Sequence, residues 1–273
     1  ADPGHQTKPA NGQRCNAATL ADSVGEHTRN VLRLLKDNDI EVSWVQVGNE
    51  ITDGMLWPEG KISSGGTYAA NGAKFINAGY EAVKEVFPTA LVIMHVDQGN
   101  DDSRVTWSVG TQASNGAKWD VTGLSFYPDE NWTTSEKTLI ENISKYKQLY
   151  KKPVMICETG INWNSNQAET FLTTLRKDVE SLPQGDCLGI FYWEPDAYPG
   201  YNGGYQKGAV GNTGKATAAI TAFYKQDDAS SIRESCSPTP HGDIYTLDGK
   251  KVENEPNNDG IYIISDKKWL MRK

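Results

Sequence analysis

Between Leu20 and Lys36 the apolar positions Leu20, Val24, Val31, Leu32 and Leu35 recur at helical spacing among polar residues, which predicts an amphipathic helix. The next apolar run, Val42 to Val47, is short and rich in β-branched residues. Gly48-Asn49-Glu50 closes it, the pattern of a strand ending in a polar turn. The same unit then repeats. A second helix is predicted over about 68–86, followed by the apolar run Leu91 to Asp97, and further strands are predicted at Val121 to Tyr127, Val154 to Glu158 and Leu188 to Trp193. Residues 1–16 read as loop.

These strands recur about every 36 residues, with helical patterns between them, and such alternation implies βαβ units and a parallel sheet. The period suits an α/β fold of the (β/α)8 TIM barrel type, which uses roughly 31 residues per unit before its loops are decorated. A doubly wound open sheet has a similar period, but no Gly-rich GxGxxG turn follows any of the strands. Only five strands are readable before residue 230, whereas a closed barrel needs eight. The chain beyond Ser237-Pro238-Thr239-Pro240 holds two strand-like runs, Asp243 to Leu247 and Gly260 to Ser265, around a polar loop. The expected organisation is a partial barrel over 1–230 and a small β-rich appendage over 237–273.

Composition narrows the function. Among 273 residues there are 27 Lys and Arg against 35 Asp and Glu, a net charge of −8 that argues against a nucleic-acid partner. No apolar stretch approaches the roughly 18 to 20 residues that span a bilayer. Four cysteines without a CxxC pair indicate neither a zinc site nor a dense disulfide framework, and Cys157 and Cys187 read as small buried hydrophobes within strands. Eight Trp and twelve Tyr point instead to a ligand with flat apolar faces. Trp57, Trp107, Trp132, Trp163 and Trp193 each follow or close a strand, which would set them around one rim as platforms for pyranose rings.

Each strand also ends in polar or aromatic residues: Asn49-Glu50, His95 and Asp97, Tyr127, Glu158, and Trp193-Glu194. In a barrel those ends share the face that carries the active site. Glu50 and Glu158 stand three repeats apart, so they would face each other across the barrel mouth. Retaining hydrolysis of a glycosidic bond needs a carboxylate nucleophile and a carboxylic acid/base about 5 to 5.5 Å apart, a spacing open to such a pair.

The segment Trp44-Val45-Gln46-Val47-Gly48-Asn49-Glu50-Ile51, with Gly54-Met55-Leu56-Trp57-Pro58, closely resembles the acid/base segment of the family 53 glycoside hydrolases, the endo-β-1,4-galactanases. Ala1 to Ala10 is similar to the loop after strand three of that family. His95-Val96-Asp97-Gln98-Gly99 resembles its strand-five end, Ser125-Phe126-Tyr127-Pro128 its strand six, Ile156-Cys157-Glu158-Thr159 its nucleophile strand and Phe191-Tyr192-Trp193-Glu194-Pro195 its strand eight. The resemblance covers about residues 1–226 in order. It implies that Glu50 is the general acid/base and Glu158 the nucleophile, with Asn49 on the sugar hydroxyl beside the reacting carbon. Tyr127 would orient the nucleophile, and Trp57, His95, Asp97, Trp163 and Trp193 would contact substrate.

The same resemblance leaves the family's first three βα units without a counterpart, so the isolated chain is expected to be poorly active or poorly folded. Some members carry calcium after strand eight. Here Asp196 to Gly214 offers one carboxylate, Asp196, too few for an oxygen cage, so neither a metal nor a cofactor is expected. The implied substrate is β-1,4-galactan, the side chain of pectin, and a polymeric substrate together with the tail pattern favours an exported protein. Ala1-Asp2-Pro3-Gly4 opens without a basic or apolar region, so this stretch holds no signal peptide. A non-catalytic galactan-binding protein and another retaining β-glycanase are the alternative readings.

Overall fold

The computed structural model describes residues 4–200, 204–223, 232–234, 244–246, 250–252, 260–264 and 267–271. Ala1 to Pro3, Cys236 and the Pro-rich stretch at 237–240 lie outside the described residues. The chain divides into two compact units, Ala1–Ala222 and Phe223–Lys273.

In the first unit β1 (Trp44–Gln46), β2 (Leu91–Val96), β3 (Val121–Phe126), β4 (Val154–Thr159) and β5 (Cys187–Tyr192) form one sheet in sequence order, every neighbouring pair parallel. Helices α1 (Ala17–Lys36), α2 (Gly66–Val86), α3 (Asp102–Ser114), α4 (Trp132–Tyr150) and α5 (Ala168–Ser181) alternate with them. Their starts follow from local chemistry. Asn16 Oδ1 accepts the Thr19 N–H at 3.0 Å to cap α1, and Asp101 Oδ1 accepts that of Arg104 at 3.0 Å to cap α3.

Every residue of β3 and β4 is buried, as expected for parallel strands covered on both faces. On the inner face Ile93, Val121, Met155 and Cys157 form one cluster with Leu91 against it. The sheet curls: the Trp44 ring on the first strand meets Phe191 on the last edge to face, with centroids 6.4 Å apart. This is the curved arc of a partial (β/α)8 barrel. β1 and β5 form its two edges, and there burial fails, with Trp44 45% and Phe191 51% exposed. Beside β1 a groove of about 850 Å3 runs along α1, lined by Leu20, Val24, Thr28, Val45, Val47 and Met55 among others.

The five predicted strands all form, but β1 covers only three of the six residues expected of it. The second unit differs more from expectation. Five short strands, β6 (Ile232–Glu234), β7 (Ile244–Thr246), β8 (Lys251–Val252), β9 (Gly260–Ile264) and β10 (Lys267–Met271), pair in the order β6-β10-β9-β7-β8. The sequence pattern marked two of them. β6 and β8 are two or three residues long, and β10 opens on two lysines, so none carries enough alternation to stand out.

Candidate active site

Glu50 sits just past β1, where the chain turns on Gly48 at φ +80° and then on Glu50 itself at φ +46°. A Cβ at Gly48 would lie 2.5 Å from the Ile51 side chain, so both the φ and the space demand glycine there. The turn is tied down from two sides. Gln6 Nε2 donates to the Asn49 carbonyl at 2.7 Å, and the Ile51 N–H donates to the His95 carbonyl at 2.8 Å. Asn49 Oδ1 accepts from Gln46 Nε2 at 3.0 Å, which sets the orientation of that amide.

Glu158 lies on β4 and is buried. Leu124 of β3 pairs with Ile156, but Ser125 pairs with Glu158, so β4 carries one extra residue, Cys157. Cys157 packs in the inner cluster, and the bulge brings Glu158 to the inner face as well, beside Ser125. Tyr127 Oη donates to Glu158 Oε2 at 2.8 Å. Burial pushes the Glu158 carboxyl above its ordinary value, the Tyr127 hydrogen bond pulls it down, and the charges of Glu50 and Glu194 push it up again. Burial, Tyr205 and Glu158 hold the Tyr127 phenol far above its ordinary value, so it remains a donor.

One oxygen of Glu50, a ring nitrogen of His95 and one oxygen of Glu158 all lie within 4.8 Å of one another. Such an approach of one oxygen from each carboxyl is compatible with the roughly 5 to 5.5 Å spacing of a retaining pair. The same trio has the donor types of a metal site, and both nitrogens of its imidazole take part in hydrogen bonds. His95 Nδ1 accepts the Glu50 N–H at 3.3 Å, and Nε2 lies 2.8 Å from Ser125 Oγ, so both nitrogens are engaged. Burial lowers the imidazole to about 4, so it is neutral near pH 7.

Two of the residues expected to contact substrate, His95 and Asp97, are buried and hydrogen-bonded within the frame of the site. His95 is 0% and Asp97 6% exposed. Asp97 takes a bidentate pair from Arg104, Nε to Oδ1 at 2.8 Å and Nη2 to Oδ2 at 2.9 Å, and also accepts from the Thr52 hydroxyl. Thr52 Oγ1 in turn accepts the Asp97 N–H at 3.0 Å, which staples the loop after β1 to the end of β2.

Three of the five tryptophans sit on strand-end loops. The indole of Trp57 donates to the Asp53 carbonyl at 2.8 Å with Lys61 Nζ 4.8 Å from its ring centroid. Trp163 donates to Gln206 Oε1 at 3.2 Å, and Trp193 is exposed just past β5. The other two depart from the expected rim. Trp107 lies within α3, and Trp132 opens α4 buried against Phe171 at 5.4 Å, because an apolar residue in a first helical turn packs on the neighbouring helix.

Sequence reasoning missed Ser125, Thr52, Arg104, Tyr205 and Lys207. Lys207 Nζ lies 5.0 Å from the Tyr127 ring centroid, and a Cβ on Gly160 would meet Tyr205 Oη at 3.1 Å and the Lys207 carbonyl at 2.7 Å. The loop after β5 therefore packs against the loop after β4. The Gly/Tyr-rich composition of 196–214 was its only signal.

Residues 1–171 match the sequence model of glycosyl hydrolase family 53. An uncharacterized protein from the bgaB 5' region of Niallia circulans is 32% identical over 228 residues, 73% of this chain and 62% of its own length. A probable arabinogalactan endo-beta-1,4-galactanase A of Aspergillus tubingensis is 30% identical over 219 residues, 71% of this chain and 61% of its own. The GH53 catalytic domain of Ignisphaera aggregans superposes with a TM-score of 0.70 at 23% identity, covering 82% of this chain and 69% of that one. The chain thus spans about three-fifths of the length of the curated relatives it matches. Its sequence, its arc of parallel strands and its strand-end glutamates agree: the chain belongs to glycosyl hydrolase family 53.

Proposed function

We propose that this chain carries the catalytic centre of a retaining endo-β-1,4-galactanase, acting on the galactan side chains of pectin outside the cytoplasm, with the chemistry housed in residues 1–230. The observation that carries this reading is the approach of a Glu50 oxygen and a Glu158 oxygen to within 4.8 Å at the ends of facing strands. The galactanase name of the Aspergillus relative supports the substrate class.

In the first step a Glu158 oxygen attacks the anomeric carbon while the glycosidic C–O bond breaks. Glu50 gives its proton to the departing oxygen. In the second, Glu50 takes a proton from water, the water oxygen attacks the same carbon, and the Glu158 ester bond breaks, with net retention. Protonation of Glu50 removes the negative charge that raises the Glu158 carboxyl, so one proton shared between the pair favours the starting state the reaction needs. Tyr127 fixes the attacking carboxylate through its 2.8 Å hydrogen bond. Asn49 faces the hydroxyl next to the reacting carbon, and Trp57, Trp163 and Trp193 offer stacking faces along the cleft.

Reducing-sugar release from linear β-1,4-galactan tests this reading. Glu158→Gln should lower it by at least about 10³-fold, because the nucleophile has no substitute. Glu50→Gln should lose galactan cleavage yet still release nitrophenol from a nitrophenyl galactooligosaccharide, whose leaving group needs no proton. The exposed ring of Trp193 would equally serve the second reading, a galactan-binding protein without turnover. Galactan binding with no hydrolysis by the parent chain would select it.

A further inference from the structure

We propose that His95 is a positioning residue for Glu50: its buried ring accepts the Glu50 N–H and thereby holds the acid/base segment in the left-handed turn that aims its carboxyl at Glu158. The proposal rests on the reading of Glu50 as the general acid. A φ of +46° is uncommon for a residue with a Cβ and costs on the order of 1 kcal/mol, so the surroundings must impose it. His95 grips this turn twice. Its Nδ1 accepts the Glu50 N–H at 3.3 Å, and its own carbonyl accepts the next N–H, that of Ile51, at 2.8 Å.

The imidazole can do this only in one state. Because Nδ1 uses its lone pair on an N–H, the ring proton sits on Nε2, which donates to Ser125 Oγ at 2.8 Å. Ser125 is the register partner of Glu158. The ring therefore spans from the turn that carries Glu50 to the strand position opposite Glu158, and fixes one against the other. A protonated imidazole would have no lone pair to offer the Glu50 amide. Burial, which lowers the ring to about 4, keeps it neutral at working pH. The ring has no surface exposed for substrate.

The test uses the full chain with ¹⁵N-labelled histidine. NMR should report His95 as the Nε2–H tautomer, unprotonated well below pH 6, with the Glu50 amide slow to exchange. His95→Asn retains an acceptor near Nδ1 and should keep that protection and most of kcat. His95→Leu should lose the protection and lower kcat on galactan about 100-fold with little change in KM, while cleavage of the nitrophenyl substrate falls less than about 10-fold. An Nδ1–H tautomer, unchanged Glu50 exchange in His95→Leu, equal losses on both substrates, or a rise in KM alone would each overturn the proposal. If His95→Leu does not fold, the tautomer in the parent chain and the behaviour of His95→Asn decide. If the parent chain hydrolyses no galactan, the catalytic reading fails, whereas tautomer and amide exchange still decide whether His95 holds the turn.

Discussion

Tyr127 and His95 tune the site in ways that pH can read. Tyr127 lowers the Glu158 carboxyl against the upward push of burial and of Glu50. Tyr127→Phe should therefore move the acidic limb of the kcat/KM profile to higher pH, and a limb that stays or falls would remove the assigned role. For His95 the folded value of about 4 lies below the ordinary 6.5, so its contribution to stability is complete above 6.5 and is lost as pH falls from there towards 4. That amounts to roughly 3 kcal/mol. His95→Asn should flatten the stability profile across this window in denaturant titrations at graded pH. Glu50 and Glu158 were legible in the sequence because each closes an apolar run. The burial of His95 and Asp97 was not, because their partners, Ser125 and Arg104, come from a different strand and a helix, and a strand-end position alone does not say which way a side chain turns.

At the scale of elements, the packing of α4 on α5 carries a titratable group. Glu136 is buried in α4, and burial followed by the charge of Asp178 raises its carboxyl above the ordinary 4.5. A carboxyl with a raised folded value contributes fully below 4.5 and loses that contribution as pH rises through the folded value. Glu136→Gln should therefore stabilise the chain at pH 8, on the order of 1 kcal/mol, and leave it unchanged or weaker at pH 4, as thermal melts at the two pH values would read. Helices and buried strands were legible here because periods of 3.6 and runs of β-branched residues survive in a single sequence. The short strands of the second unit were not, since β8 has two residues and β6 three.

Across the first unit, the arc of five strands exposes what a closed barrel would cover. Trp44 and Phe191 sit at the edges of the sheet, Leu34 on α1 is 65% exposed, and the groove between α1 and β1 lies open. Unpaired edges and large apolar chains together favour association, with each large side chain newly buried contributing about 1.5 to 3 kcal/mol. The purified chain should therefore self-associate at micromolar concentration. Trp44→Arg combined with Phe191→Arg should shift it towards monomer in light scattering, and a monomeric parent chain would contradict this. Strand count and the barrel type were legible from the 36-residue recurrence, but the contact between Trp44 and Phe191 was not, because it joins residues far apart in sequence.

The extra residue Cys157 has a consequence for how this strand is to be altered. Side chains along a strand alternate like even and odd numbers, and Cys157 changes the parity once, between Ile156 and Glu158. An engineer who deleted Cys157 to regularise the ladder would keep every other residue of β4, and the strand would pair more evenly. Glu158 would then follow Ile156 directly and keep its place opposite Ser125 on the inner face, whereas a change that flattened the ladder with Cys157 still in the chain would turn Glu158 outwards among the helices, on the wrong side of the wall.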